Sequence, residues 1–427
     1  MDICVIGAGY VGLTTAAILA DLGHRVVCVE IDKEKVRMLR SGELPIYEPE
    51  LGELISRHKQ AGRLRFSDHP AEEIKTQQVI LIAVGTPQRT DGRADLRALD
   101  GVLHMIAAQK SGEKKTIVIK STVPPGTTAR AARFFANMGI PAGQINVVAN
   151  PEFLREGSAV HDARFPDRII IGSDTPDAGK LVHSMYRATD APVLITGTTE
   201  AELIKYAANA FLATRISFMN EMARIADACG ADILDVERGM GLDPRIGGRF
   251  LRAGLGFGGS CFPKDLSALI RYADDHGVDA PLLRSVVAVN RTQPAVYLKK
   301  LAQILGGLAK RRIAVWGLTF KPDTGDLRAS QPLLLIRALA EAGCQVHTYD
   351  PVAFYEAGSV TGHHDRDDAL EAADALIVAT EWDVFRHPNW ENVAAKMRGR
   401  LIFDARNCID PAEVTSAGLI YEGVGRR

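Results

Sequence analysis

Ile3-Cys4-Val5-Ile6-Gly7-Ala8-Gly9-Tyr10-Val11-Gly12-Leu13 is an unbroken apolar run, then a Gly-x-Gly-x-x-Gly turn, then the start of a helical pattern. Gly7 permits a tight turn, Gly9 lets the backbone approach a ligand, and Gly12 allows a helix to pack closely on a strand. Continuous rather than alternating hydrophobicity is what a parallel strand buried on both faces requires. Similar runs recur at Val26–Val29, Val79–Val84, Ile117–Ile119, Val147–Ala149 and Ile169–Ile171, with amphipathic stretches between them. A second series follows at Ile313–Trp316, Val346–Tyr349, Leu376–Ala379 and Leu401–Phe403. Between the two series, Glu200 to Cys229 contains neither Gly nor Pro and predicts a helix of about 45 Å. The expected fold is α/β: two Rossmann-like, doubly wound parallel-sheet domains joined by a helical middle with a long spine helix. The expected boundaries are residues 1–198, 199–300 and 301–427.

Composition narrows the function classes. The chain has 427 residues, 46% apolar and 24% charged, with a formal net charge of −1. That charge offers no global field for nucleic acid or an anionic membrane, so an anionic substrate needs local basic residues. No run approaches the roughly 18 apolar residues of a membrane span, and Met1-Asp2 leads into the first strand without a secretory pattern. The expected location is the cytoplasm. Six scattered cysteines form no C-x-x-C pair, which argues against a disulfide framework or a zinc site. His363-His364 is read as solvated loop, and no metal is expected.

Several polar motifs directly follow predicted strands: Gly85-Thr86-Pro87, Ser121-Thr122-Val123-Pro124-Pro125-Gly126 and Asn150-Pro151-Glu152, besides the glycine turn and Glu30. Ligands of open parallel sheets bind beyond the carboxyl ends of the strands. The glycine turn and helix N-terminus suit a pyrophosphate. Glu30 suits the adenosine ribose and disfavours a 2′-phosphate, so NAD is expected over NADP; Asp32 is the alternative ribose partner. Gly254-Leu255-Gly256-Phe257-Gly258-Gly259-Ser260-Cys261-Phe262-Pro263-Lys264-Asp265 places four glycines in six residues before a lone cysteine. Pro263 suits the first turn of a following helix. Cys261 then stands at a helix start beside Lys264, where a thiolate is favoured. Cys4 and Cys28 are expected in the core. Lys205 and Asn209, four apart on the spine helix, share a face and together can donate to an oxyanion. Asp265 can position or deprotonate water, with Thr122 a further partner of that water.

GAGYVG, VGTP, KSTVPPGT, NPEFLREG, ELIKYAANAFLA, GFGGSCFPKD and FKPDTGD occur in this order. The chain thereby resembles the nucleotide-sugar dehydrogenases, the UDP-glucose/GDP-mannose dehydrogenase family, from Met1 to Asp404–Asn407. The resemblance implies oxidation of UDP-glucose to UDP-glucuronate by two NAD⁺ through a thioester on Cys261, in a homodimer. It implies Lys205, Asn209, Asp265, Glu152 and Thr122 as catalytic partners, with Glu152 the acid–base residue. For the cofactor it implies Gly7, Gly9, Tyr10, Val11, Gly12, Glu30, Lys35, Thr86, Pro87, Thr122, Glu156, Lys264 and Arg328. For the substrate it implies Glu152, Phe153, Leu154, Arg155, Glu156, Lys205, Asn209, Arg245 and Arg252. Phe257, Gly258, Phe320, Lys321 and Arg406 complete that set.

In the second α/β domain the first strand is followed by Gly317-Leu318-Thr319-Phe320-Lys321-Pro322, without the glycine fingerprint, so a second dinucleotide is not expected. Lys321, Arg328 and Arg406 lie beyond its strands and suit a diphosphate or carboxylate. Glu30 stands where the family more often has Asp, and Arg249 and Arg252 where many members have Lys. Sister activities on GDP-mannose or an N-acetylated UDP-sugar are the nearer alternatives. Ser260 before the cysteine, rather than His, and Phe262 after it, rather than Leu, favour UDP-glucose. A non-enzymatic NAD-binding protein is the other class; the joint presence of Lys205, Asn209, Cys261 and Asp265 argues against it.

Overall fold

The apolar runs form strands in the computed structural model, which describes residues 1–109 and 113–426. Eight build the first sheet: β1 (Asp2–Ile6), β2 (Arg25–Val29), β3 (Leu64–Ser67), β4 (Val79–Ile82), β5 (Lys115–Ile119), β6 (Ile145–Ala149), β7 (Ile169–Gly172) and β8 (Val193–Thr196). Their order is 3-2-1-4-5-6-7-8. Six build the second: β9 (Arg312–Trp316), β10 (Gln345–Tyr349), β11 (Val360–Gly362), β12 (Ala375–Val378), β13 (Leu401–Asp404) and β14 (Ile420–Gly423). Their order is 11-10-9-12-13-14. In each sheet the order reverses beside the first strand, β1 or β9, which opens a crevice at the carboxyl edge.

The pairing is parallel with one exception. β1 aligns Ile3 with Val26 of β2 and Ile6 with Ile82 of β4, but β7 meets β6 antiparallel at Ala149 and Gly172. β8 follows β7 in parallel, so the last two strands of the first sheet run against the rest. The hydrophobic run at Ile169–Ile171 marks burial and carries no information on strand direction. β3, β8, β11 and β14 are not among the apolar runs singled out in the sequence. β3 carries Arg65, paired with Glu73 at 2.5 Å, and β8 leaves Leu194 and Ile195 exposed. Edge strands with one open face need no continuous hydrophobicity.

The chain divides into two compact units. The first comprises Met1–Ala208 with Ser267–Tyr272; the second comprises Asn209–Leu266 with Ala273–Arg427. In the first unit, one face of the sheet buries Ile3, Val5, Val26, Cys28 and Leu81 against the first helix (Tyr10–Asp21). Cys4, Ile6, Ile80, Ile82 and Ile117 fill the other face. Burial pushes the thiols of Cys4 and Cys28 up, which makes them inert core residues. In the second unit, Ile313, Val315, Ile377 and Phe403 pack with Tyr297, Leu301 and Ile336. Trp316, Leu376, Val378 and Phe385 occupy the opposite face.

The spine helix runs from Thr198 to Cys229, two residues longer at its start than the expected Glu200–Cys229. His363 differs from expectation: it is half-buried and meets His347 at 2.9 Å, and burial pushes both imidazoles down. His364 lies in an exposed loop as expected, stacked on the exposed Phe354 ring. Among the described residues no helix is long and apolar enough to cross a membrane.

Candidate active site

The glycine turn is built as its spacing requires. A Cβ at Gly12 would lie 1.8 Å from the Gly7 carbonyl oxygen, so only glycine lets the first helix start this close to β1. At Gly9 a Cβ would meet nothing within 4 Å, and no side chain caps the helix that Gly9 begins. The turn therefore presents an open cradle with uncapped N–H groups, which fits the pyrophosphate of NAD. Glu30 follows β2 beside this turn, accepting from the N–H groups of Ala8 (3.1 Å), Ile31 (2.8 Å) and Asp32 (3.1 Å). Its rival Asp32 instead caps the next helix, accepting from Glu34 and Lys35 N–H groups. Tyr10 and Val11 lie half-buried in the first turn, Tyr10 donating to the Tyr47 carbonyl, and Lys35 lies half-buried in the second helix. The buried Thr86 hydroxyl donates to the Thr122 carbonyl at 2.8 Å, lacing the loop after β4 to the loop after β5, while Pro87 is exposed.

Glu152 is buried just beyond β6. One of its oxygens lies 3.1 Å from the Lys205 ammonium and the other accepts from the Leu154 N–H at 2.5 Å. Burial alone would raise this carboxyl; the Lys205 ammonium, the Leu154 N–H and the Lys120 ammonium outweigh it and hold Glu152 below the usual carboxylate range. Lys205 is itself buried and lies 5.3 Å from the centre of the Phe153 ring, which the Arg168 guanidinium covers at 3.8 Å. Arg155 points its fork at Asp162 (2.6 Å), and Glu156 is half-buried before Gly157, whose N–H the buried Glu48 accepts at 2.7 Å.

In the second unit Cys261 is the N-cap of the helix Phe262–Asp275, with Pro263 in its first turn. The partial positive charge of a helix start favours an anion there. Cys261 is half-buried, with Sγ 3.5 Å from the Ser260 hydroxyl. Asp265, one turn on, donates its N–H to the Cys261 carbonyl at 2.9 Å and buries its carboxylate. That carboxylate accepts from Asn209 Nδ2 at 2.7 Å and from the Lys264 ammonium at 2.5 Å. Lys264, expected beside the thiol, thus directs its ammonium to Asp265.

The glycine loop before Cys261 is stitched by amides that the sequence did not single out. Asn290 accepts from the Phe257 N–H at 2.7 Å and donates to its carbonyl at 3.0 Å, which Gln331 also reaches at 3.1 Å. Asn220 and Gln293 hold the two backbone groups of Gly254. The Phe257 ring packs into a small core with Ala213, Leu266 and Val286. Gly258 leaves no room for a Cβ against the Ala329 carbonyl, and Gly259, at φ +80°, lies under the Phe320 ring.

The basic residues of the second unit fall into two groups. Arg406, beyond β13, is held bidentately by Glu381 beyond β12 at 2.6 and 2.7 Å. Lys321 lies half-buried, 5.6 Å from the centre of the Phe320 ring. Arg245, Arg252 and Arg328 are exposed, near Asp243, Glu237 and Asp326 respectively. At the turn after β9 the Leu318 and Thr319 N–H groups are taken by the Asp350 carboxylate. Asp350 follows β10 as Glu30 follows β2, and takes the Leu318 N–H as Glu30 takes that of Ala8, but it also takes the Thr319 N–H and hydroxyl.

Three segments match one family in order: residues 1–190 its NAD binding domain, 199–292 its central domain and 314–411 its UDP binding domain. A UDP-glucose 6-dehydrogenase of Pseudomonas aeruginosa is 46% identical, over 100% of this chain and 98% of that protein. The structure of a UDP-glucose dehydrogenase from Pyrobaculum islandicum superposes with a TM-score of 0.93 at 39% identity, covering 100% of this chain and 98% of that one. A UDP-D-ManNAc dehydrogenase structure from Pyrococcus horikoshii gives 0.90 at 31% identity, covering 100% and 99%. The chain belongs to the UDP-glucose/GDP-mannose dehydrogenase family, and NAD is its cofactor.

Proposed function

We propose that this chain oxidises the C6 alcohol of UDP-glucose to the carboxylate of UDP-glucuronate, through a thioester on Cys261. The observation that carries the reading is Cys261 at a helix start, with Asp265 one turn on and Asn209 bonded to it. NAD⁺, when bound on the Gly7–Gly12 turn with Glu30 at the ribose, supplies the hydride acceptor for the two oxidations. Glu152 takes the alcohol proton. Cys261 Sγ adds to C6 at the aldehyde level, and the oxyanion so formed receives hydrogen bonds from Lys205 and from the second N–H of Asn209. Asp265, oriented by Asn209 and Lys264, takes the proton of the water that attacks the thioester carbonyl, with Thr122 a further partner of that water. The C–S bond then breaks, the acid leaves and the thiolate returns. Lys321 and Arg406 meet the anionic part of the nucleotide sugar, and Arg245 and Arg252 extend that set. Ser260 in place of His favours UDP-glucose over an N-acetylated sugar.

The same reading takes the chain as cytoplasmic, in three parts at 1–198, 199–300 and 301–427, and as a homodimer. The spine helix supports the dimer: Phe211, Phe218 and Ile225, spaced by seven, are 61%, 43% and 54% exposed. A stripe at that spacing suits a partner helix.

Intact-protein mass spectrometry of Asp265→Asn with UDP-glucose and NAD⁺ tests the chemistry. The thiol remains but the water loses its base, so an adduct of one UDP-glucuronosyl group accumulates. Cys261→Ala, checked for NAD⁺ binding, gives no adduct and no acid; turnover to the acid at the wild-type rate in this variant would remove Cys261 as the nucleophile.

A further inference from the structure

Lys120, directly after β5, is an ammonium only 8% exposed. It donates to the Asn150 carbonyl (3.4 Å), to Asn150 Oδ1 (3.2 Å) and to the Tyr186 hydroxyl (3.5 Å). All three acceptors are neutral. Tyr186 donates in turn to Asn150 Oδ1 at 2.6 Å, and Asn150 Nδ2 donates to the Ile170 carbonyl at 2.8 Å. This network secures the residue that starts the Asn150-Pro151-Glu152 turn. A buried ammonium among neutral acceptors is costly, and an apolar side chain of the same length would fill the space more cheaply. Its charge favours the ionised form of Glu152, which lines the same cavity.

We propose that Lys120 is a positioning residue for the acid–base carboxylate: its ammonium clamps the turn that carries Glu152 and, with Lys205, keeps Glu152 ionised. The inference rests on the reading of Glu152 as the acid–base residue. The charged and titratable groups around Lys120 are Glu152 beyond β6, Lys205 on the spine helix and Tyr186. A cavity of about 90 Å³ adjoins Lys120, Glu152 and Tyr186, and its further charged groups are the Arg155–Asp162 pair, Asp167 and Arg168. The first helix faces this cavity with Thr15, Ile18 and Leu19, none of which titrates. Burial pushes the Lys120 ammonium down to about 8, with Glu152 opposing the fall and Lys205 adding to it. As pH rises through that value Lys120 loses its charge, and Glu152 retains Lys205 as its nearest cation.

The test compares wild type, Lys120→Met and Lys120→Arg, using UDP-glucose or whichever nucleotide sugar the wild type turns over. It measures kcat and both KM values from about pH 4 to about pH 10, with hydrogen exchange across residues 150–156. Lys120→Met should lower kcat roughly tenfold with the NAD⁺ KM unchanged, as expected when buried acceptors lose their donor. Its acid limb should move to higher pH, because Glu152 loses a positive neighbour. Exchange across the turn should rise, and Lys120→Arg should restore most of the rate and the protection. Wild-type kcat and pH profile in Lys120→Met would overturn the proposal. So would equal damage in Met and Arg variants with NAD⁺ binding also impaired, the result of a purely structural role. A wild type inert toward every nucleotide sugar would refute the functional reading; unchanged exchange in Lys120→Met would then refute the clamp separately.

Discussion

Glu152 remains a carboxylate in the interior because Lys205 lies 3.1 Å away. Its pKa in the fold is depressed, so the pair's stabilisation is present above the ordinary carboxylate range and disappears as pH falls through the depressed value. Lys205→Met leaves a buried acid without its nearest cation, where burial raises the pKa. The variant should lose about 3 kcal/mol near neutrality, and less at about pH 4, where Glu152 takes up a proton. Urea unfolding at both pH values measures this; an equal loss at both would show that the pair's charge is not what stabilises the fold. At this scale the sequence made Cys261, Asn209 and Asp265 visible through helix spacing and a glycine-rich loop. It hid Lys120, since a lysine ending an apolar strand ordinarily reaches water; the adjoining Ser-Thr at a sheet's carboxyl edge was the available signal. The amides of Asn290, Gln293 and Gln331 were hidden because their partners are backbone groups distant in sequence.

Among the elements, the helix Thr127–Asn137 begins at Gly126, whose φ is +88° and which has no side chain to cap the helix. Glu202, on the spine helix, supplies the cap from outside, accepting from the Gly126 N–H (2.6 Å), the Thr128 N–H (2.7 Å) and the Thr128 hydroxyl (2.6 Å). This bond set ties the loop that carries Thr122 to the helix that carries Lys205. Glu202→Ala should cost about 1–3 kcal/mol, the range for a lost cap with buried donors, read as a lower urea midpoint. An unchanged midpoint would mean that water replaces the carboxylate without loss. The central strands and the spine helix were legible because burial on both faces, or a long stretch free of Gly and Pro, leaves a local pattern. The reversal of β7 was not, because strand direction depends on the connection and not on hydrophobicity.

For the whole molecule, the six strands of the second sheet repeat the order of the first six of the first sheet, but the two sheets carry different turns. Glu30 takes the Ala8 N–H of the first turn, where Gly9 leaves space for a ligand, whereas Asp350 takes both the Leu318 and the Thr319 N–H groups of the second. The difference between the two turns was therefore readable from the missing glycine fingerprint, although the second N–H taken by Asp350 was not. The exposed stripe on the spine helix predicts the assembly. Sedimentation should give about twice the chain mass of 46.2 kDa, and Phe218→Glu should shift it toward the single chain, since a buried charge opposes association. A wild type that sediments as a single chain would rule the dimer out.

The stoichiometry of the reaction tests the thioester route most directly. Purified protein, UDP-glucose and excess NAD⁺ are combined, and NADH formed is counted against sugar consumed while the product is identified. Oxidation of an alcohol to an acid removes four electrons, so two NADH should form per sugar, with UDP-glucuronate as the product. One NADH per sugar with free aldehyde released, or no oxidation of UDP-glucose at all, would contradict this route.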